Sequence, residues 1–434
     1  MYIFLVLTKK QKFVYGFARF GSTIFMGLYD FASFYIYWQV FQLDPALAGV
    51  MGAAGKTTIM IASYIIGFIS DSMWTRLGRR KPFILSGAPL LAFSGFLHFT
   101  PIYFLKTIDQ ASLFWWGTGT SVLFHIFYAW LLTPYQAWLP EISEPQERID
   151  VSMIQNLSNI LGHVVSTVTS FLVKMLVAIG LLMPVMGVYA LILVALFTPQ
   201  VFLLPVEKRT EVLKPSLKDF LTVFRYPEYV KWMGVRGLMS ASVQMLSISI
   251  VAYIEHVIGV EPSLASASFG VMLVVFVAGA FPLWGRLGKT RGKGYALSLS
   301  LIILAITLLL TLVPHFVGKG LVRTILGYLI VAVGATALSA YVLFPYAILA
   351  DLAHWYQVRT GENRAGLFTG FEGIPINIFE SLAYLVTGTL MKLPSINGYS
   401  AGLILWGPVG ALFTVLALLV LKKTNVDPFL SQSR

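Results

Sequence analysis

The chain contains no cysteine in 434 residues. That excludes a disulfide framework, thiol catalysis and thiolate metal sites. Charge is also scarce: Asp, Glu, Lys and Arg make up 12% of the residues, about half the share of an ordinary soluble domain. The six histidines form no His-x3-His pair, and there is no Gly-x-Ser-x-Gly elbow or Walker loop, so the usual metal, acyl-transfer and ATP-driven chemistries have no motif here. What is abundant is apolar. Hydrophobic residues reach 57%, with 32 Phe, 20 Tyr and 10 Trp, and mean hydropathy is +0.78. Disordered chains are poor in aromatics; lipid-facing surfaces with aromatic belts are rich in them.

The apolar residues fall into blocks of membrane-spanning length, roughly 20 residues each. Twelve spans are expected, at 13–41, 46–70, 82–105, 111–139, 150–178, 180–205, 229–258, 263–287, 293–315, 321–350, 364–391 and 398–422. The apolar stretch after Lys9, Lys10 and Lys12 is too long for a cleavable signal peptide and has no small-residue cleavage site. With the N-terminus cytoplasmic, 25 of the 31 basic residues lie on the inner side, five on the outer side, and Lys56 lies inside span two. Such a split predicts a cell-membrane protein with both termini cytoplasmic. The net charge of +12 is then topology, and no nucleic-acid partner is expected.

The sequence repeats at half-length. Pro134-Tyr135 through Glu141 and Arg148 closes span four; Pro345-Tyr346 through Asp351 and Arg364 closes span ten. The Pro-Tyr pairs are 211 apart and the acids Glu141 and Asp351 are 210 apart. A second pair of loops agrees. Asp71, Arg76, Gly78, Arg79, Arg80 and Lys81 follow span two, while Gly285, Arg286, Gly288, Lys289, Arg291 and Lys293 follow span eight, with the acid missing. The expected fold is an all-α membrane protein of twelve helices in two pseudo-symmetric six-helix bundles, residues 1–205 and 229–434, around a central cavity and joined by a cytoplasmic linker at 206–228. Parallel six-span repeats are the architecture of major facilitator transporters.

The stretch from Asp71 to Leu85, ending Gly-Arg-Arg-Lys-Pro-Phe-Ile-Leu, resembles the loop between spans two and three of major facilitator proteins. Together with Pro134–Arg148, Pro345–Arg364 and Tyr15-Gly16-Phe17 with Gly21, it is most similar to the glycoside-pentoside-hexuronide:cation symporters, the group of melibiose permeases and sucrose-transporter relatives. The resemblance implies alternating access and cation-coupled sugar transport. It also shows what is missing. The span-two arginine of melibiose permeases falls on Lys56, and the two aspartates that bind the coupling cation fall on Ile59 and Ser63. Their span-one aspartate falls on Thr23, their span-four aspartate on Leu132 and their span-eleven lysine on Ile378. A hard cation wants several oxygen ligands, whereas a proton needs one carboxyl, so the resemblance points to proton coupling, with uncoupled facilitation behind it.

The loop charges Asp71, Arg76, Arg79, Arg80, Glu141, Arg148, Asp351 and Arg364 are candidate inner-gate residues, because a carboxylate there can pair with arginines or with a helix N-terminus of the other half. Charge inside the membrane is costly and usually functional, which singles out Asp30, Lys56, Glu372 and Glu380. Asp30 and Lys56 lie on adjacent spans and can neutralise each other. Glu372 and Glu380, eight apart, share a helix face, and Pro375 and Asn377 are expected to interrupt that helix between them. With Lys56 read as the one basic residue at comparable depth, Glu380 is the first choice for the coupled proton and Glu372 the second. Tyr29, His125, Trp130 and Asn159 add aromatic and polar groups suited to sugar hydroxyls. The expected protein is thus a monomeric secondary transporter, not an enzyme, that needs no cofactor or metal and moves a sugar-like small molecule with a proton. An anionic or lysolipid-like substrate, attracted by Lys56, stays open beside it.

Overall fold

The computed structural model describes residues 7–207, 222–361, 368 and 370–429. Arg364 lies outside the described residues. In a bilayer the backbone must satisfy its own hydrogen bonds, and for these apolar blocks the helix is the solution. Ten helices are long and apolar enough to cross a membrane, among them Pro45–Ser72, Lys81–Phe99, Leu182–Leu203, Lys293–Phe316 and Gly402–Leu421. The two remaining expected spans are also helical but more polar. Span four is the single helix Gln110–Ile142. Span one is assembled from Lys9–Phe17 and Arg19–Leu28, followed by two π-helical turns, Tyr29–Ser33 and Ile36–Val40.

Local chemistry sets the helix starts. The Asp44 carboxylate accepts from the Ala46 and Leu47 amides ahead of a helix with Pro45 at its first position; that proline has no amide hydrogen to lose. Asp109 accepts from the Ser112 amide at the head of Gln110–Ile142, and those hydrogen bonds hold its carboxyl below the usual range.

The chain divides into two compact units, Met1–Lys214 and Pro215–Arg434. In the first, Tyr15 and Tyr135 stack with ring centroids 4.4 Å apart, and each hydroxyl donates to the other's carbonyl oxygen. In the second, Tyr229 stacks on Phe368 at 4.1 Å and donates to its carbonyl oxygen at 2.6 Å.

Three expectations need correction. The residues after span eight are not a loop, because Phe281–Arg291 is helical and the chain turns only at Gly292, with φ 96°. The polar stretch after span ten is likewise helical as far as Thr360, so Asp351 projects from a helix. Span eleven is not interrupted at Pro375 and Asn377. The helix Gly373–Met391 starts just before them and runs unbroken; Pro375 falls in its first turn, where a missing amide hydrogen leaves nothing unpaired.

Candidate functional site

In the first unit the site is built around the π turn Tyr29–Ser33. A π turn makes room for an extra residue inside a helix and often marks functional positions. Here it carries half-buried Asp30, whose Oδ1 accepts from Lys56 Nζ at 2.8 Å. Lys56 is only 5% exposed. Its helix approaches span four closely because Gly55 precedes it: a Cβ there would meet Ser121 Oγ at 2.5 Å and the His125 ring at 2.6 Å. Tyr29 is fully buried behind the ion pair. Its hydroxyl pairs with Ser121 Oγ at 2.6 Å, and the His125 ring meets it edge-on at 4.4 Å. His125 donates from Nδ1 to the Ser121 carbonyl at 2.8 Å, which leaves a buried Nε2 without a partner among the described residues.

Nearer the start of span one, Asn159 Oδ1 accepts from Thr23 Oγ1 at 2.8 Å and from Arg19 Nε at 3.2 Å. Arg19 belongs by position with the basic residues near the N-terminus, yet it is bonded into the bundle. Trp130 stands apart. It lies five residues beyond His125, on a different face of the same helix. There it donates to Ser86 Oγ at 3.0 Å and packs on Phe83 with Ala62, Ile66 and Ala129. It is a helix-packing residue.

At the end of the same unit, Arg80 joins two acids. Its Nη2 lies 2.5 Å from Asp71 Oδ1 and 2.6 Å from Glu141 Oε1, and Nη1 donates to Ser70 Oγ at 2.8 Å. Arg79 Nη2 reaches Glu141 Oε1 at 2.8 Å. Burial by itself would lower the Arg80 pKa, but hydrogen bonding to Glu141 and the charges of Glu141 and Asp71 outweigh it and raise that pKa above its ordinary value. A residue not singled out in the sequence completes the cluster. Glu207 Oε1 accepts from the backbone amides of Arg79 and Arg80, a carboxylate at the start of the helix Lys81–Phe99, where the dipole favours it. The carboxylates of Asp71 and Glu141 thus pair with arginines, and Glu207 caps a helix N-terminus of its own unit. Arg148 was expected among the ion pairs; instead it donates to the Pro140 and Ser143 carbonyls. Arg76 is exposed and makes no ion pair among the described residues.

The second unit repeats parts of this. Asp351 pairs with Lys293, and Asp427 accepts from the Lys293 and Gly294 amides at 2.9 and 2.7 Å, as Glu207 does in the first unit. Its buried charge differs. Glu372 Oε1 lies 2.8 Å from Arg236 Nε, and the guanidinium sits 5.0 Å from the Tyr341 ring centroid. Lys56 is thus not the one deep basic residue. Arg236 neutralises Glu372, which removes the basis for treating Glu372 as a carboxyl awaiting a proton. Asn377 donates to the Gly373 carbonyl one turn back, at 2.7 Å, and Glu380 is half-buried. Among the described residues no group of three or more His, Asp or Glu is placed to hold a metal ion.

A family model described as MFS/sugar transport protein matches residues 14–403. Among curated proteins the chain is 23% identical to an isoprimeverose transporter of Lactiplantibacillus pentosus, over 96% of this chain and 89% of that protein. It is 22% identical to the sphingosine-1-phosphate transporter MFSD2B of Xenopus tropicalis, over 83% of this chain and 74% of that one. Among solved structures, a bacterial homologue of the iron transporter ferroportin superposes with a TM-score of 0.70 at 13% identity, over 96% and 99% of the two chains. The nucleoside transporter NupG gives 0.67 at 11%, over 95% and 98%.

Proposed function

Because the chain belongs to the MFS/sugar transport family and is an integral multi-pass transporter of the major facilitator fold, not an enzyme, we propose that it is a monomeric symporter of a small hydroxylated solute, a sugar or glycoside, coupled to protons at Asp30. The isoprimeverose transporter among its relatives supports the substrate class. The 25-to-5 division of basic residues supports a cell-membrane location with both termini cytoplasmic.

The observation that carries the coupling reading is the Asp30–Lys56 pair inside the bundle, held at 2.8 Å on a π turn. With Asp30 ionised, the contact between spans one and two joins opposite charges; protonation of Asp30 removes one of them, so proton binding changes the electrostatics of that contact. The Arg236–Glu372 pair in the other unit is fully buried and braced by Tyr341, which suits a fixed structural role better. An anionic, lysolipid-like substrate stays the second reading, supported by the sphingosine-1-phosphate transporter among the relatives.

The test is uptake of radiolabelled isoprimeverose by proteoliposomes under an imposed proton gradient. Asp30→Asn should abolish accumulation and leave counterflow exchange, which requires no net proton movement. Accumulation at the wild-type level in Asp30→Asn would exclude Asp30. Loss of accumulation in Glu380→Gln with Asp30→Asn intact would move the coupling to span eleven.

A further inference from the structure

The last four carbonyls of a helix lack the usual partner four residues on. At the end of span three, Lys81–Phe99, two of them serve other spans. Trp116 Nε1 of span four donates to the Leu97 carbonyl at 3.0 Å, and the Tyr37 hydroxyl of span one donates to the His98 carbonyl at 2.9 Å. Tyr37 stands on the second π turn, Ile36–Val40. The His98 side chain reaches the first. Its Nε2 lies 2.7 Å from the hydroxyl of Ser33, the last residue of the turn Tyr29–Ser33, and its Nδ1 lies 3.0 Å from Thr120 Oγ1. Ser33, Tyr37 and His98 are wholly buried, and the imidazole lies 5.2 Å from the ring centroids of both Tyr29 and Tyr37. One residue thus holds both π turns, the first by its ring and the second by its backbone.

The hydrogen bonds fix which nitrogen does what. Thr120 donates its own proton to the Trp116 carbonyl at 2.7 Å, so its oxygen accepts from His98 Nδ1. An imidazole with one N–H has one acceptor nitrogen, and Nε2 therefore accepts from Ser33. Buried serines elsewhere in the chain turn back on their own helix, as Ser158 does to the Ile154 carbonyl at 2.7 Å. Ser33 reaches across to span three instead. A serine that loses such an acceptor turns to the carbonyls three and four residues back, and for Ser33 these belong to Asp30 and Tyr29. The imidazole therefore decides how the turn bearing Asp30 is bonded.

We propose that His98 is a positioning residue for the coupled proton: it holds the first π turn of span one in the form that presents Asp30 to Lys56. The inference rests on the coupling reading above and adds the residue that sets its geometry. Among the described residues, the charged and titratable groups that face Asp30 are Lys56 on span two, His163 on span five and Tyr29 on its own turn. The hold of His98 on Asp30 passes through Ser33 of that same turn.

The test uses full-length protein in proteoliposomes with radiolabelled isoprimeverose. The ratio of gradient-driven accumulation to counterflow exchange should fall about tenfold in His98→Leu, the scale of one lost buried hydrogen bond. The proton concentration for half-maximal driven uptake should shift by about as much. His98→Gln, which supplies an acceptor oxygen for Ser33, should return both close to wild type. Ser33→Ala should reproduce the loss, and adding His98→Leu to it should change little, the non-additivity expected when both changes remove one interaction. Ser33→Ala also carries the test should His98→Leu fail to fold, with thermal unfolding in detergent followed for every variant. A lowered unfolding temperature with a wild-type ratio, a glutamine variant as defective as the leucine one, or fully additive losses would make His98 a packing residue and overturn the proposal. If Asp30→Asn still accumulates solute, the coupling reading falls and this one with it. If Asp30→Asn fails to accumulate while His98→Leu keeps the wild-type ratio, only the role of His98 falls.

Discussion

The two units hold their buried charge in different places. In the first, the ion pair joins spans one and two at a π turn, and the contact between spans one and five is the neutral Thr23–Asn159 hydrogen bond with Arg19 beside it. In the second, the contact between spans seven and eleven is the Arg236–Glu372 ion pair. Asn159 and Glu372 are 213 residues apart, as are Thr23 and Arg236. One repeat therefore put a neutral hydrogen bond and a salt bridge at matching positions, and among the described residues the ion pair between the first two spans of a unit is seen in the first unit. The ends of the units show the opposite relation. Glu207 and Asp427 each follow the last helix of their unit and each cap the third. A duplicated fold keeps the contacts that close a bundle and varies those that face its interior.

The sharpest way to break this comparison is Arg236→Leu. It strands a buried carboxylate, and a loss of about 3–5 kcal/mol is expected on denaturant unfolding in detergent. Replacing Glu372 by leucine in the same chain should restore most of it. The matching change in the first unit, Thr23→Val, should cost about 1 kcal/mol. Equal losses would mean the two contacts are energetically alike. Next in size, Glu141→Gln should destabilise by about 1.5–3 kcal/mol, because it removes a charged partner from Arg79 and Arg80. Asp71→Asn, whose carboxylate is a third exposed, should slow turnover more than it alters solute KM in the uptake assay. The two caps sharpen the likeness: Glu207→Ala and Asp427→Ala should each cost about 1 kcal/mol, and a clear inequality in their melting shifts would deny the equivalence. Smallest is Asp351→Asn. Both ends of its pair with Lys293 are a quarter or more exposed, so about 0–1 kcal/mol is expected.

The spans were legible because lipid imposes length and composition, and the repeat was legible because loop charges sit at near-constant offsets. Arg19 and Arg236 were misplaced for the same reason. Each lies close to a cluster of basic residues at a helix end, so a count by position assigns it to the interface, while its partner is more than a hundred residues away. The Asp30–Lys56 pair could be read from adjacent helices and matching depth. The contacts of Trp130 with Ser86 and Phe83 could not be read, because aromatic type says nothing about which helix face a residue occupies. Glu207 and Asp427 stand in short polar stretches, where only three-dimensional proximity distinguishes a cap from a solvated acid. The π turns of span one leave no periodicity signal at all.

Those π turns have a mechanical consequence. Each holds one residue more than an α turn, and each residue of an α-helix advances the helix by about 100°. Two such insertions in the second half of span one place its following side chains on faces that an uninterrupted helix would not give them. Span one thus presents Asp30 from a segment whose faces are set by its π turns and not by the α-helical period of the residues before it.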